Sequence, residues 1–212
     1  MAAKITLWLL ISTFLHLQYL CGMIQFPTLL LASKSPRRHQ IFREAGLHFE
    51  AVNIEAEEDF PDFLVREQVC EFLASHKATH FTEPLHEKIL VTADTIVCLG
   101  NKVINKPATK EEAAEMLASL SGRTHEVFTG VCMRNQERQQ VFHERSEVEF
   151  YPLTSAEIDY YIEHFKPFDK AGAYGVQDWM GYMGVKRING CFYNVMGFPM
   201  SRFYRVLQQF VL

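Results

Sequence analysis

A short apolar run followed at once by a basic, proline-containing turn constrains the fold of this chain more than any other feature. The run covers residues 29–32, and residues 33–38 read SKSPRR. A serine directly before a proline is typical of a helix N-cap and first helical position, where the missing N–H of proline costs nothing. Gly46 then predicts the end of that helix. The pattern therefore predicts a strand, a tight turn and a helix.

The first turn of this predicted helix carries two arginines, Arg37 and Arg38. Positive charges at the positive end of a helix dipole are unfavourable unless an anion lies between them. The pattern is typical of a phosphate site, but it is equally typical of a solvated basic helix start that binds nothing. The hexapeptide alone leaves both interpretations open.

The rest of the chain alternates between strand and helix patterns. The predicted strands cover residues 49–54, 88–99, 103–104, 127–133, 141–150 and a segment near 187–195. The predicted helices cover residues 63–81, 113–120, a segment from Thr154 to Pro167, and 199–210. Thr109 and Thr154 each stand three residues before a glutamate, which predicts two capping boxes. The glycines at 181 and 184 are interpreted as ordinary turn residues. The class is therefore α/β, with a mixed β-sheet and flanking helices.

Composition limits the partners and the compartment. A chain of 212 residues with 48% hydrophobic content can bury one core or two closely packed lobes. The net charge of −4 is spread along the chain, which argues against a nucleic-acid polymer as partner. The five cysteines include no C-x-x-C pair, which argues against a disulfide framework or a zinc site. A reducing cytoplasm is the expected location.

The N-terminal segment is treated separately from the domain. An apolar run over residues 5–20 follows Lys4, as in a signal peptide or membrane anchor. The run is shorter than the roughly 20 residues that a spanning helix requires. Met23 lies just before the first predicted strand. We expect the domain to cover residues 23–212, with residues 1–22 a dispensable leader or a mis-assigned start rather than an anchor.

Asp94 is the most informative acid, because it interrupts the most apolar of the predicted strands. An ionised carboxylate there costs several kcal/mol unless it is paired, hydrogen-bonded or bound to a metal. The basic candidates for a partner are Lys77, Lys106, Arg37 and Arg38. The alternative is a structural acid that accepts hydrogen bonds from backbone N–H groups.

Two further features surround this acid. An acidic loop over residues 55–62 contains Glu57 and Glu58, and carboxylates gathered near phosphate oxygens are the usual ligands of magnesium or manganese. Lys77 continues the fourfold apolar spacing of the helix predicted over residues 63–81. Such a lysine either extends along the edge of the apolar stripe or points into a cleft.

Six segments, in this order, resemble the motifs of the Maf family of nucleoside triphosphate pyrophosphatases. They are LASKSPRR (31–38), ADTIV (93–97), NKP (105–107), SGRTHEVFTG (121–130), DKAGAYGVQ (169–177) and NVMGFP (194–199). The resemblance extends from Met23 to Leu212. It implies hydrolysis of a nucleoside triphosphate between its α- and β-phosphates, with a divalent metal such as magnesium or manganese. It also implies an α/β fold of two lobes around a central cleft, akin to the inosine triphosphatase group and often dimeric.

The resemblance also implies roles for individual residues. Asp94 matches the proton acceptor and, with the acidic-loop glutamate, a metal ligand; that glutamate aligns with Glu58 or, less well, with Glu57. The phosphate and cleft positions are matched by Ser33, Arg38, Lys77 and Lys106. The positions that mark the subgroup acting on dTTP and UTP are matched by Arg37, Thr95 and Gln177. A glutamine offers both a donor and an acceptor, which suits the O4 and N3–H edge of uracil or thymine.

Such an activity would serve nucleotide metabolism, with removal of modified pyrimidine nucleotides as one use. The alternative is a non-catalytic regulator of cell division that binds a nucleotide without hydrolysing it, since members of this family have been linked to septum formation. The presence of Asp94, Lys77 and Lys106 together favours the enzyme.

Overall fold

A computed structural model describes residues 26–211, so the interpretation of residues 1–22 as a leader lies outside the described residues. The strands are β1 Leu29–Ala32, β2 Phe49–Val52, β3 Ile89–Leu99, β4 Lys102–Ile104, β5 Thr124–Arg134, β6 Gln139–Phe150 and β7 Val185–Asn189. The helices are α1 Pro36–Glu44, α2 Glu67–Thr79, α3 Lys110–Leu120, α4 Ser155–Phe165, α5 Trp179–Met183, α6 Phe192–Met196 and α7 Met200–Phe210. Two short 3₁₀ turns cover Pro167–Asp169 and Ala171–Ala173.

The strands form one mixed sheet in the order β2-β1-β3-β5-β6-β7, and β4 pairs with β3 off this path. β1 is parallel to β2 and β3. The other four pairs are antiparallel: β3 with β4, β3 with β5, β5 with β6, and β6 with β7. The predicted α/β class with a mixed sheet and flanking helices is confirmed.

One edge of β3 has a gap in its backbone pairing. β5 pairs with the other edge from Leu90 to Cys98. On the gapped edge, β1 pairs with residues 89–92 and β4 with residues 97–99. Among the described residues, no strand pairs with residues 93–96 on this side. Asp94 lies in the gap, so the irregularity in the sheet coincides with the acid that the sequence singled out.

The two faces of β3 pack against different helices, because successive side chains of a strand point to opposite faces. Ala93 and Val97 belong to the larger core cluster, which also contains buried residues of α3, α4 and α7. Ile96 and Cys98 pack with apolar residues of α2. Asp94, Ile96 and Cys98 are each two residues apart, so the side chain of Asp94 lies on the same face of β3, which α2 covers.

Helix α2 lies unusually close to the sheet beside Asp94. Gly130 on β5 is the register partner of Asp94, and a Cβ atom at Gly130 would overlap the carbonyl oxygen of Cys70 on α2. Next to it, the buried hydroxyl of Thr92 donates to the carbonyl oxygen of Ala74 at 2.5 Å. The missing side chain and this hydrogen bond set the distance of α2 from β3, and therefore the reach of the side chains of α2.

Most of the predicted elements are confirmed, with shifts at their ends. The capping box at Thr154 is complete, and the side chain of Thr109 accepts from Glu112 as predicted. In the second case the Glu112 carboxylate accepts instead from the N–H of Ala108 at 2.7 Å, one residue before the N-cap. The helix predicted from residue 63 begins at Glu67.

Two predictions near the C-terminus are wrong. The strand predicted near 187–195 ends at Asn189, and residues 192–196 form α6. The Ser146 side chain binds both the N–H and the carbonyl of Cys191, at 3.0 Å each, and so ends the pairing of β7. Gly181 is part of α5 rather than a turn, and a Cβ atom there would overlap the Val176 carbonyl oxygen.

Within residues 26–211, no helix combines the length and the apolar character that crossing a membrane requires.

Replacing Gly130 by alanine tests the docking of α2. The new methyl group would meet backbone atoms of α2, so we expect the free energy of unfolding to fall by about 1–3 kcal/mol through overpacking. Gly100→Asn is the control, because Gly100 lies in an open turn and asparagine tolerates its positive φ. Denaturant unfolding measures both variants, and an unchanged stability of Gly130→Ala would contradict the close packing.

Candidate active site

A cavity of about 1050 Å³ opens at the gap in β3. Its wall includes residues of the β1–α1 turn, the acidic loop, α2, β3 and the segment 169–177. All nine of the predicted site residues line it: Ser33, Arg37, Arg38, Glu58, Lys77, Asp94, Thr95, Lys106 and Gln177. The fold thus gathers residues that are up to 144 positions apart in the sequence, from 33 to 177.

Asp94 and Lys77 form the innermost pair. Asp94 is only 7% exposed, and the Lys77 ammonium donates to its Oδ1 at 2.5 Å. Lys77 extends from α2, which Gly130 and Thr92 hold against the sheet. Of the two orientations that the sequence left open for Lys77, the structure has the one that points into the cleft.

Glu58 continues this pair outward. Its Oε1 accepts from Lys77 at 2.9 Å and its Oε2 from Lys106 at 2.6 Å. Burial opposes ionisation of Glu58, but the hydrogen bond from Lys106 and the charge of Lys77 outweigh it and lower its pKa to about 2. Of the two glutamates that the sequence left open, Glu58 is therefore the one that contacts both lysines. Asp94, Lys77, Glu58 and Lys106 form a series of ion pairs with alternating charges, here named the ion-pair series.

Arg38 occupies the gap in the sheet. Its Nη1 donates to the Ala93 carbonyl at 2.9 Å, its Nη2 to the Thr95 hydroxyl at 3.0 Å and its Nε to the Gly197 carbonyl at 2.8 Å. Burial lowers the pKa of Arg38, while the Asp94 carboxylate acts in the opposite direction. Nη1 also donates to the Ser33 hydroxyl at 3.5 Å, so four of the five N–H donors of the guanidinium are used and one remains for a phosphate. Arg38 therefore holds the site together at least as much as it faces a ligand.

The turn before α1 is confirmed as a helix start, with one difference. Ser35 is the N-cap and Pro36 the first helical residue, but within the described chain Ser35 makes no side-chain capping bond. Instead the Ser33 hydroxyl accepts from the Ser35 N–H at 3.2 Å. The turn is thus stabilised by Ser33, whose side chain lines the cavity.

Arg37 reaches across the cavity to Asp169. Its Nη1 donates to Asp169 Oδ2 at 2.7 Å, and Lys170 donates to Oδ1 of the same carboxylate at 2.7 Å. Burial opposes ionisation of Asp169, but hydrogen bonds from Lys170 and Arg37 lower its pKa. Asp169 lines the cavity, and the sequence reasoning did not single it out although it opens the motif 169–177. Its signal there was its place in that motif, not its spacing from Arg37.

Thr95 and Gln177 differ in how they meet the cavity. The Thr95 hydroxyl is 2.9 Å from the Thr129 hydroxyl as well as bonded to Arg38, so its hydrogen-bonding capacity is largely used within the protein. The Oε1 atom of Gln177 is buried and has no hydrogen-bond partner among the described residues. A buried acceptor without a donor is costly, so this atom is suited to meet a donor from a ligand.

The carboxylates fit a metal that arrives with its substrate. Among residues 26–211, no group of three or more His, Cys, Asp and Glu side chains is placed to hold a metal ion. Asp94 and Glu58 nevertheless both contact the Lys77 ammonium, so their oxygens converge on one cationic position. Magnesium is commonly held by one or two carboxylates together with substrate phosphates. This donor set fits that arrangement.

The fold and the cavity together define a class: an α/β protein whose cleft holds a buried carboxylate between cationic side chains, as polyphosphate chemistry requires. A family model described as a Maf-like protein matches residues 28–210. The chain belongs to the Maf family, and the resemblance drawn from its motifs is confirmed.

Several relatives of known name are similar over most of the chain. A "dTTP/UTP pyrophosphatase" of Bacteroides thetaiotaomicron is 44% identical over 183 residues, which are 85% of this chain and 95% of the relative. Proteins of the same name from Cytophaga hutchinsonii and Flavobacterium johnsoniae are each 44% identical, over 85% and 86% of this chain and 83% and 95% of their own. A HAM1 protein structure from Coxiella burnetii aligns at 14% identity with a TM-score of 0.47, covering 87% of this chain and all of that one. That structural similarity is too weak to carry an argument, so the likeness to the inosine triphosphatase group stays a prediction.

The lowered pKa of Glu58 predicts how stability depends on pH. The carboxylate form stabilises the fold above its usual pKa of 4.5, and this contribution is lost as the pH falls toward about 2. Glu58→Gln should therefore lose less melting temperature than the parent protein on acidification over that range. Glu57→Gln, in the same exposed loop, is the control and should behave like the parent. Equal acid sensitivity of Glu58→Gln and the parent would contradict the ion pairs.

Proposed function

We propose that this chain hydrolyses dTTP and UTP between the α- and β-phosphates, releasing the nucleoside monophosphate and pyrophosphate. The single observation that carries the proposal is the ion-pair series, in which a buried carboxylate and two lysines meet at one cavity. Membership of the Maf family and the shared name of relatives over 85% of the chain support the reaction and the substrates.

The ion-pair series suggests how the triphosphate binds. Glu58 contacts both Lys77 and Lys106, and Asp94 contacts Lys77, so two carboxylates are paired with two ammonium groups. A triphosphate brings several negative charges, so its oxygens can replace Glu58 at the lysines and release that carboxylate. The lysines then stabilise the negative charge that develops on the departing pyrophosphate. Asp94 and Glu58 would hold a divalent metal, which would neutralise phosphate charge and favour ionisation of water.

Asp94 is the proposed general base. It is buried, it lies beside the cationic groups that hold the phosphates, and it can accept a proton from the attacking water. Lys77, 2.5 Å from Oδ1, keeps the carboxylate oriented. Arg38 holds the strand that carries Asp94 through the carbonyl of the preceding residue, Ala93.

Gln177 is the proposed base-reading residue. Its buried Oε1 can accept from the N3–H of thymine or uracil, while its amide N–H₂ can donate to O4. The hydrogen bond from the base would satisfy an atom that otherwise has no partner among the described residues. Arg37 and Thr95 are the other two positions proposed to mark the subgroup that acts on dTTP and UTP. Arg37 donates to Asp169, and the Thr95 hydroxyl accepts from Arg38.

Three further expectations belong to the proposal. A non-catalytic regulator of cell division is not favoured, since the relatives cited above are named as pyrophosphatases. A cytoplasmic location is supported by Cys70, Cys98 and Cys132, which are buried free thiols. The family resemblance supports a homodimer.

Replacing Asp94 by asparagine tests the general base. Asparagine keeps the shape of the side chain, and Lys77 retains Glu58 as an ion partner, so the protein should stay folded. Without a proton acceptor, turnover of dTTP with magnesium should fall by about 10²- to 10⁴-fold. Release of pyrophosphate and monophosphate measures it, alongside melting temperature and dTTP affinity. Asp62→Asn, an exposed acid of the same chain, is the matched control. A folded Asp94→Asn protein with normal turnover would remove Asp94 from the mechanism.

Replacing Gln177 by glutamate tests the reading of the base. The change removes a donor and adds a negative charge, so discrimination between dTTP and GTP should weaken by about 1–3 kcal/mol. Steady-state kcat/KM values for both triphosphates give this difference. Equal kcat/KM values for GTP and dTTP in the unmodified protein would refute the pyrimidine preference.

A further inference from the structure

The segment that carries Gln177 is held by a buried hydroxyl from a neighbouring helix. Tyr161 on α4 is fully buried, and its hydroxyl accepts from the Gly175 N–H at 3.0 Å. The same hydroxyl lies 3.0 Å from both carboxylate oxygens of Asp178, to which it donates. Gln177 therefore stands between two residues, 175 and 178, that one side chain ties together.

Asp178 extends this anchor into α5. It is the N-cap of that helix, and its Oδ1 accepts from the Met180 N–H at 3.3 Å. The Gly181 N–H donates to the Asp178 carbonyl at 2.9 Å, and α5 packs so closely on Val176 that only glycine fits at 181. Residues 175–181 thus form one tightly bonded unit, with Tyr161 as its link to α4.

Removing the Tyr161 hydroxyl would leave the partly buried Asp178 carboxylate with only the Met180 N–H as a donor. Burial already raises the pKa of Asp178, and the hydrogen bonds from Tyr161 and Met180 oppose that rise. Loss of the hydroxyl would also free the Gly175 N–H. Unsatisfied buried groups are costly, so the segment would shift toward water or toward new partners.

The position of the Gln177 amide matters because its two ends have opposite polarity. Thymine presents an acceptor and a donor, whereas adenine presents a donor and an acceptor in the corresponding places. An amide that is free to turn over can satisfy either base, while an amide held in one orientation selects between them. Selectivity therefore depends on the backbone that holds Gln177 as well as on Gln177 itself.

We propose that Tyr161 and Asp178 are positioning residues for base selection, acting through Gln177. The inference rests on the proposed function of Gln177 as the base-reading residue. Within the described chain, neither Tyr161 nor Asp178 is among the residues that line the cavity, so neither is expected to touch the nucleotide.

The test compares kcat/KM for dTTP and dATP in the unmodified protein, Tyr161→Phe and Asp178→Ala. Each variant should lower the dTTP preference about tenfold, mainly through a higher KM for dTTP, because the ion-pair series is untouched. Tyr160→Phe is the matched control: it removes the hydroxyl of the adjacent, 45% exposed tyrosine and should leave the preference unchanged. Melting temperatures verify folding, and Asp178→Ala carries the test if Tyr161→Phe does not fold.

A double-mutant cycle separates positioning from general destabilisation. In a Gln177→Ala background, Tyr161→Phe should cause no further loss of base preference, because the residue through which it acts is gone. A further tenfold loss in that background would overturn the inference, and so would a full dTTP preference in folded Tyr161→Phe and Asp178→Ala. Equal kcat/KM values for the two triphosphates in the unmodified protein would overturn the proposed function and the inference with it.

Discussion

The site depends on how one break in a β-sheet is filled. Among residues 26–211, no strand pairs with residues 93–96 on one edge of β3, and the Arg38 guanidinium supplies the donor for the Ala93 carbonyl. The same group binds Gly197, between α6 and α7, and Thr95 on β3. One partly buried side chain thus connects three parts of the chain that are far apart in sequence. Because a gap replaces a sheet neighbour here, a cavity can reach the backbone beside Asp94.

The charged side chains of the cavity are paired with one another. α2 lies against β5 at Gly130, and this places Lys77 within 2.5 Å of Asp94. Glu58 then bridges the two lysines from the acidic loop. Under the proposed function, Glu58 would stand where phosphate oxygens bind, since it pairs with two cations that would otherwise repel each other. A ligand with more negative charge than one carboxylate has the electrostatic advantage in replacing it.

Local patterns predicted much of this molecule, and distant contacts were beyond them. The strand, turn and helix over residues 29–46, both helix starts at Thr109 and Thr154, and the anomaly of Asp94 all follow from spacing and residue type. The pairs Arg37–Asp169 and Tyr161–Asp178 do not, because a hydrogen bond between side chains on different elements leaves no periodic trace. The strand predicted near 187–195 was wrong for the same reason: the Ser146 side chain, 45 residues from Cys191, decides where β7 ends.

The proposed function assigns phosphate chemistry and base selection to different parts of the fold. The residues of the ion-pair series lie on β3, α2 and the loops beside them. Gln177 lies on a different segment, which α4 anchors through Tyr161. The ion pair between Arg37 and Asp169 joins the two parts across the cavity, from the start of α1 to the turn that precedes that segment. Since both partners are partly exposed, this contact contributes little to stability and is free to adjust when a nucleotide enters. Under the proposed function, changes in the segment that carries Gln177 would therefore alter which nucleotide binds, while the groups assigned to phosphoanhydride cleavage would stay in place.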